Sequence, residues 1–234
     1  MKLAVIPARG GSKRIPRKNI RPFAGLPIIG HSIRAALASA LFDEVMVSTD
    51  DDEIAEVALS LGAAVPFVRP RTLADDHTGT NAVVRHALEW YRQAGRSALY
   101  ACCIYATAPF VQPRFLHEGF RLLAESGRDF AFSVTSFGFP VQRALTLSAD
   151  GSVASMHPEH AATRSQDLPH AFHDAGQFYW GRAQAFLDEV PLFSAASMAV
   201  VLPRHMVQDI DTPEDWTRAE FMYQALKSAG EIDS

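Results

Sequence analysis

The stretch Pro7-Ala-Arg-Gly-Gly-Ser-Lys-Arg-Ile-Pro-Arg-Lys-Asn19 follows directly on residues 2–6, of which residues 3–6 are an apolar run. That run predicts a buried β-strand that ends at Pro7, because a short apolar run before a proline is typical of a strand covered on both faces. In an open α/β sheet, ligands bind beyond the carboxyl ends of the strands. The stretch 7–19 therefore lies where a binding site is expected.

The composition of this loop indicates a site for a chain of phosphates. Gly10 and Gly11 allow the backbone to approach a ligand closely and to turn successive amides toward an anion. Ser12 adds a hydroxyl group. Three cationic side chains can neutralise a triphosphate: Arg9, Lys13 and Lys18. The loop matches neither the Walker pattern nor Gly-x-Gly-x-x-Gly, which disfavours a kinase-like or dehydrogenase function.

The charge of the chain is distributed unevenly around this loop. Residues 1–42 contain eight Lys or Arg and no Asp or Glu, whereas the other residues carry 14 basic and 26 acidic side chains. A local positive field on an acidic protein favours a compact anionic ligand over a nucleic-acid backbone. A solvated basic loop without a ligand is the alternative interpretation of the cluster.

Outward from the loop, predicted strands and helices alternate as far as residue 135. The strands are expected at residues 2–6, 44–48, 64–68, 99–105 and 130–135, and the helices at residues 27–40, 52–61, 81–93 and 113–125. Such alternation is typical of a doubly wound α/β fold, with a mostly parallel sheet and helices on both faces. We therefore expect a Rossmann-like architecture.

The pattern changes in residues 137–175, which we interpret as a small insertion that leaves the main sheet. Two strand-like segments, 144–148 and 152–156, surround Asp150-Gly151, a dipeptide typical of hairpin turns. Strand character returns at residues 177–180 and 198–202, and a last helix begins near Pro213 with Thr212 as its cap. We expect one domain over residues 1–234, with the insertion as its dimerisation subdomain.

The composition describes an ordinary globular protein. Of 234 residues, 48% are hydrophobic and 21% charged, which excludes disordered, collagen-like and coiled-coil chains. Cys102 and Cys103 are adjacent in an apolar run, an arrangement that suits free thiols in a reducing compartment. No apolar stretch approaches the roughly 20 residues that span a bilayer. We therefore expect a cytoplasmic protein that binds neither membranes nor nucleic acid.

Asp209 and Asp211 form a candidate metal site. They are separated by one residue, so on an extended segment their side chains point the same way. Mg²⁺ typically takes one or two carboxylates together with phosphate oxygens and water. The pair next to a triphosphate would suit that ion, although ordinary loop or capping residues are the commoner role of such pairs.

The sequence resembles the acylneuraminate cytidylyltransferases, whose hallmark is an Ile-Pro-Ala-Arg-x-Gly-Ser-Lys-x-Ile-Pro-x-Lys-Asn loop. Residues 6–19 match this loop throughout, whereas the related Kdo cytidylyltransferases have a shorter one. The resemblance continues over essentially the whole chain, at Ser48-Thr-Asp50, Arg69-Pro70, Leu73-Ala-Asp-Asp76, Thr80 and Asp209-Ile-Asp-Thr212. It implies that a 2-keto sugar acid attacks the α-phosphorus of CTP through its anomeric hydroxyl and releases pyrophosphate.

The resemblance also implies a role for individual residues. Asn19 would contact the ribose or base of the nucleotide, and Arg69 and Thr80 would lie at the cytosine. Asp209 and Asp211 would bind Mg²⁺. The phosphates would be held by Arg9, Lys13 and Lys18, and the residues expected to carry catalysis are Arg9, Lys18, Asp209 and Asp211.

The predicted sugar site rests on segments that look like the pseudaminic acid branch of the family. Tyr105 stands where sialic acid enzymes have Gln, and a lysine that many of them carry is missing near Gln142. Arg164 can pair with the carboxylate of the sugar acid. Further sugar-binding residues implied by the match are Gln166, His173, Asp174, Gln177 and Tyr179. Family members use the insertion to form homodimers, which we expect here as well.

Several alternatives stay open at this point. The sugar acid could be a sialic or legionaminic acid, and the enzyme could be another sugar-nucleotide pyrophosphorylase. A non-enzymatic alternative is a regulatory module that binds nucleotide but catalyses no reaction. The intact pair of Asp209 and Asp211 argues against this alternative.

Overall fold

The computed structural model describes residues 1–75 and 78–232, so Asp76 of the 73–76 motif lies outside the described residues. The strands are β1 Lys2–Pro7, β2 Pro22–Phe23, β3 Leu26–Pro27, β4 Glu44–Ser48, β5 Tyr100–Ile104, β6 Phe130–Ser136, β7 Leu145–Leu147, β8 Val153–Ser155, β9 Phe172–Arg182 and β10 Ser197–Val201. The helices are α1 Ile28–Ala38, α2 Asp52–Ser60, α3 Thr80–Gln93, α4 Pro113–Ser126, α5 Ala183–Leu187 and α6 Pro213–Ser228.

Six of these strands form one sheet in the order β10-β6-β9-β5-β1-β4. β9 runs antiparallel to β5 and β6, whereas the pairs β10–β6, β5–β1 and β1–β4 are parallel. The mostly parallel, doubly wound sheet expected from the sequence is therefore confirmed. The carboxyl ends of β1, β4 and β5 meet at one edge, which is where the loop after β1 lies.

The prediction of a strand at residues 64–68 was wrong. This segment makes only two isolated bridges among the described residues, Met46 with Ala64 and Thr49 with Val68. Pro66 lies between the two bridges and has no backbone N–H to donate, so a continuous ladder cannot form. The segment crosses the edge of the sheet and delivers Arg69 to the carboxyl end of β4.

β9 also differs from the sequence expectation, because it begins at Phe172 and spans 11 residues. The last residues of the predicted insertion 137–175 therefore belong to the central sheet. The pairing with β6 shifts between Phe132 and Val134, which marks a bulge in this pair. The predicted hairpin is present as the two-stranded β7–β8 sheet, apart from the main one.

Helices cover both faces of the sheet. Alternate residues of β1 point to opposite faces: Ala4 and Ile6 join the core under α1, α2 and α4, and Leu3 and Val5 join the core under α3 and α5. This alternation is the period of two expected of a strand. No helix among the described residues is both long and apolar enough to cross a membrane.

α6 closes a third cluster around the segment that follows β1. Its buried residues, Trp216, Ala219, Tyr223 and Leu226, are those predicted from the sequence. They pack against Phe23, Ile28 and Phe110. The Thr212 side chain accepts from the backbone N–H of Asp215 in a capping box, which confirms the predicted start of the helix. This packing holds the residues just before α6 next to the loop after β1.

Candidate functional site

A cavity of about 280 Å³ lies between the loop after β1, the start of α3 and the segment before α6. Its lining includes most of the residues that the sequence predicts to bind nucleotide, namely Arg9, Ser12, Lys13, Lys18, Asn19, Arg69 and Thr80. Tyr105 and Asp211 line it as well. Residues from distant parts of the chain therefore meet in one strongly cationic cavity.

Gly10 has a different role from the one expected for its backbone amide. The Gly10 N–H donates to Asp50 Oδ1 at 3.0 Å, so this amide is bound to a carboxylate in the structure rather than open to an anion. A Cβ at Gly10 would lie 2.7 Å from Asp51 Oδ2, whereas one at Gly11 would lie 3.8 Å from its nearest atom, Arg9 Nη1. Gly10 is therefore required for close packing against α2.

Arg17 anchors the other end of the loop, and sequence reasoning missed it. Its backbone is left-handed, with φ of 55°. Its guanidinium donates to both oxygens of Asp51, at 2.5 and 3.0 Å, and also binds Glu53. This hydrogen bonding lowers the pKa of Asp51. The sequence did contain a signal for this contact, namely the acidic run that begins at Asp50 after β4. Parallel neighbouring strands end at the same edge of the sheet, so this run is expected close to the basic loop after β1.

Asn19 closes the loop on itself. It is buried, and its Nδ2 donates to the Arg9 carbonyl oxygen at 2.9 Å. In the structure Asn19 therefore joins the first and last parts of the loop, while still lining the cavity where a nucleotide contact was predicted.

The segment before α6 is joined to the loop by charge. Lys18 Nζ donates to the Ile210 carbonyl oxygen at 2.6 Å and lies 3.3 Å from Asp211 Oδ1. Arg14 Nη2 lies 3.0 Å from Asp211 Oδ2. The backbone N–H of Asp211 donates to Asp215 Oδ2 at 3.2 Å, so the cap of α6 also orients this residue. Asp211 is therefore held directly at the cationic loop.

Asp209 lines a second, larger cavity of about 1110 Å³ next to the first. His173, Asp174, Arg204 and Arg218 line the same cavity. Burial and the negative charge of Asp211 raise the pKa of Asp209, and Lys18 partly opposes that shift. The two aspartates, which were expected on one side of an extended segment, thus line neighbouring cavities but remain close enough to interact.

Arg69 is buried at the carboxyl end of β4. Its Nε donates to Ser48 Oγ at 3.0 Å, and its Nη2 donates to the Ser48 carbonyl oxygen. Burial lowers the pKa of Arg69 to about 10, although the charge of Asp50 opposes the shift. The side chain is thereby fixed in the cavity wall.

Tyr105 belongs to a series of side chains between the two cavities. Thr80 Oγ1 lies 3.4 Å from the Tyr105 hydroxyl, and the rings of Tyr105 and Tyr179 are 5.2 Å apart. The Tyr179 hydroxyl donates to Asp174 Oδ2 at 2.6 Å. Burial raises the pKa of both tyrosines. Three predicted sugar-binding residues therefore form one connected group.

The other predicted sugar-binding residues are placed differently. Arg164 is 73% exposed and pairs with Asp167 at 2.8 Å, and Gln166 lines a small cavity within the insertion. Gln177 is buried and donates to the Met206 carbonyl oxygen at 2.6 Å. His173 lines the larger cavity, with Nδ1 2.8 Å from the Asp174 carbonyl oxygen. Arg164, Gln166 and Gln177 thus line neither of the two cavities.

Comparisons with known proteins identify the family of the chain. A family model described as cytidylyltransferase matches residues 3–223. The pseudaminic acid cytidylyltransferase of Campylobacter jejuni subsp. jejuni serotype O:2 is 46% identical over 222 residues, which cover 95% of this chain and 96% of that protein. A Helicobacter pylori protein, named pseudaminic acid cytidylyltransferase and UDP-2,4-diacetamido-2,4,6-trideoxy-beta-L-altropyranose hydrolase, is 36% identical over 89% of this chain and 40% of its own length.

The fold has a counterpart among solved structures. That of CMP:2-keto-3-deoxy-manno-octonic acid synthetase complexed with CTP has a TM-score of 0.69 at 18% identity, covering 96% of this chain and 99% of that one. At this identity the likeness shows the fold. The family model and the relatives of similar length show the family: the chain is an enzyme that belongs to the cytidylyltransferases.

Proposed function

We propose that the chain transfers CMP from CTP to the anomeric hydroxyl of pseudaminic acid and releases pyrophosphate. The observation that carries this proposal is the 46% identity, over nearly its whole length, to a protein named pseudaminic acid cytidylyltransferase. The cationic cavity at the carboxyl ends of the strands supports the use of a nucleoside triphosphate.

The proposed nucleotide site is the smaller cavity. Arg9, Lys13 and Lys18 hold the phosphates, and Ser12 offers a hydroxyl at the same wall. Arg69 and Thr80, which line the same cavity, lie at the cytosine, and Asn19 contacts the nucleoside. Because Ser48 and the surrounding core hold Arg69 in place, its donors are oriented before a base arrives. This arrangement acts mainly by positioning and by neutralising charge.

The donor set fits Mg²⁺. Among the described residues no three His, Cys, Asp or Glu side chains form a metal site by themselves. Burial and, after it, the negative charge of Asp211 raise the pKa of Asp209, so a cation close to both carboxylates would be favourable. Two carboxylates completed by phosphate oxygens are what Mg²⁺ accepts. When bound there, Mg²⁺ would neutralise charge that develops on the phosphates.

The reaction needs one proton to leave the sugar. The anomeric oxygen forms a bond to the α-phosphorus, the bond from that phosphorus to the bridging oxygen breaks, and pyrophosphate leaves. Asp209 is our candidate to accept the proton, because it lines the larger cavity, the proposed sugar site, beside Asp211.

The larger cavity is our proposed site for the sugar acid. It adjoins Tyr105, Tyr179 and Asp174, which separate it from the nucleotide site. Pseudaminic acid is less polar at one end than N-acetylneuraminic acid, and the rings of Tyr105 and Tyr179 beside the cavity suit that end. A site built for the less polar sugar leaves hydroxyls of the other unpaired, at about 1–3 kcal/mol for each.

We propose a homodimer through the insertion. Seven large apolar side chains in this segment are exposed: Phe137, Phe139, Leu145, Leu147, Val153, Met156 and Phe172. A hairpin that buries none of its residues is marginal alone and needs a partner surface. In such a dimer, Arg164 and Gln166 can face the second copy, which would explain why they line neither the nucleotide cavity nor the larger cavity of their own chain. The free thiols of Cys102 and Cys103 suit the cytoplasm.

One assay tests the function. Pyrophosphate release is measured with CTP, Mg²⁺ and, in parallel, pseudaminic, legionaminic and N-acetylneuraminic acids. We expect kcat/KM for pseudaminic acid to exceed that for N-acetylneuraminic acid by about a hundredfold, which corresponds to two unpaired groups. Comparable values would contradict the substrate proposal, and equal rates with UTP or ATP would contradict the nucleotide proposal. Sedimentation of active enzyme as a single 25.6 kDa species would contradict the dimer.

A further inference from the structure

Arg14 lies at the tip of the loop after β1 and was assigned no role from the sequence. Its side chain is 66% exposed, yet its guanidinium lies 3.0 Å from Asp211 Oδ2 and it lines the nucleotide cavity. It is therefore a further cation within reach of a triphosphate, bound to the carboxylate that we assign to the metal.

We propose that Arg14 is a further phosphate-binding residue, and that it exchanges Asp211 for the triphosphate when nucleotide binds. This inference rests on the proposed function. In the ligand-free chain, Asp211 holds the guanidinium at the cavity. In the complex, the guanidinium pairs with phosphate oxygens, and Asp211 Oδ2 becomes available to a divalent cation.

The anchors of the loop leave its tip able to make this exchange. Gly10 is tied to Asp50 on one side, and Arg17 is tied to Asp51 and Glu53 on the other. Arg14 lies between these two anchors. Its side chain can therefore change partner while the rest of the loop keeps its conformation.

Lys18 is held more firmly than Arg14. Its side chain is 18% exposed, and its ammonium donates to the Ile210 carbonyl oxygen in addition to facing Asp211. An ion pair as exposed as that of Arg14 is screened by water and contributes little, so it costs little to break. A guanidinium also matches phosphate oxygens with two donors, which an ammonium cannot do. Arg14 is thus the cation suited to move.

The exchange predicts opposite changes in two affinities when Arg14 is removed. Without Arg14, Asp211 loses a competing cation, so a divalent metal should bind the ligand-free protein more tightly. The triphosphate loses a donor, so CTP should bind more weakly in the absence of metal. A residue that merely supports the fold would weaken both affinities or neither.

The experiment uses the full chain with Arg14→Ala, Arg14→Lys and, as a control, Arg121→Ala. Arg121 is exposed on α4 and pairs with Glu125, so its replacement removes the same charge far from the cavity. The affinity for Mn²⁺ alone is measured by electron paramagnetic resonance, and that for CTP by calorimetry without divalent ions, both at fixed ionic strength.

We expect Arg14→Ala to bind Mn²⁺ about two- to fivefold more tightly, the range of an exposed ion pair. It should bind CTP about tenfold more weakly, as expected for a lost charged hydrogen bond. Arg14→Lys should lie between it and the wild type, and Arg121→Ala should match the wild type in both affinities.

Loss of both affinities in Arg14→Ala, or no change in either, would overturn the exchange. A wild-type chain that binds ATP as well as CTP would contradict the proposed function instead. Opposite changes in Arg14→Ala would still support the exchange in that case, so the two failures can be told apart.

Discussion

The Tyr179 hydroxyl donates a 2.6 Å hydrogen bond to Asp174 Oδ2, although the two residues lie five positions apart on one strand. In a regular strand they would be about 16 Å apart and on opposite faces. A bulge joins them, because β9 uses five steps where β6 uses two, from Phe132 to Val134. Gly176 supplies the left-handed turn within it, with φ of 62°.

We predict that Asp174→Ala destabilises the protein by about 1–3 kcal/mol, because the buried Tyr179 hydroxyl loses the carboxylate to which it donates. Asp174→Asn keeps an oxygen acceptor and should lose less. The double variant Asp174→Ala/Tyr179→Phe removes both partners and should recover part of the loss. The free energy of unfolding of each variant is measured by urea denaturation. Two outcomes would contradict the interaction. One is an equal loss of stability in Asp174→Ala and Asp174→Asn, and the other is a loss in the double variant that equals the sum of the two single losses.

We predict that Asp211→Asn lowers kcat by at least about a hundredfold, because a proposed metal ligand loses its charge and several kcal/mol of transition-state stabilisation are lost. The variant should keep a normal circular dichroism spectrum. Glu214→Gln is the matched control, since Glu214 is an exposed carboxylate three residues further on. Near-normal turnover of Asp211→Asn at limiting Mg²⁺ would remove Asp211 from the site.

Gly10→Ala should disturb the loop for a steric reason. The added methyl would lie 2.7 Å from Asp51 Oδ2 and 3.0 Å from Asp51 Cβ, so the Arg17–Asp51 pair must shift. We expect a lower melting temperature and about a tenfold loss in kcat/KM for CTP, of the size that one misplaced charged hydrogen bond produces. Gly11→Ala places its methyl 3.8 Å from its nearest neighbour, Arg9 Nη1, which is an ordinary contact distance, and should leave the melting temperature unchanged. The reverse order of the two melting temperatures would contradict the packing argument.

We predict that stability falls as the pH drops below 6.5, partly because of His31. This side chain is buried, and Nε2 donates to the Phe23 carbonyl oxygen at 2.9 Å. Burial, followed by the charge of Arg34, lowers the pKa of His31 in the folded protein. The unfolded chain takes up the proton near pH 6.5 and the folded chain resists it, so stability is complete above 6.5 and declines below it.

His31→Gln tests this dependence, because glutamine keeps a donor for Phe23 and does not titrate. Between pH 6.5 and 5.5 the wild type should lose up to about 1 kcal/mol more than the variant, because half of the unfolded chains already carry the proton at pH 6.5. His86, whose pKa burial also lowers, contributes in both proteins and cancels in the difference. Parallel stability curves for the two proteins would exclude His31 as the source.

Features set by residues close together in the sequence were predictable. The strand before Pro7, the capped start of α6 at Thr212 and the hairpin at Asp150-Gly151 all depend on local propensity and turn chemistry. The strand expected at residues 64–68 does not form. Its prediction rested on the apolar composition of the segment and gave too little weight to the proline in its middle. The position of β9 between β5 and β6 depends on pairing over more than 70 residues, which local patterns do not encode.

The sequence by itself determined the fold class and the cationic loop, because strand alternation and the charges of residues 9–18 are local properties. Only the tertiary structure decided what those charges contact. It pairs Arg17 with Asp51 and Arg14 with Asp211. It also places Asp209 and Asp211 at different cavities. These relationships follow from the packing of α6 and α2 against the loop, and packing between distant segments is settled only when the whole core forms.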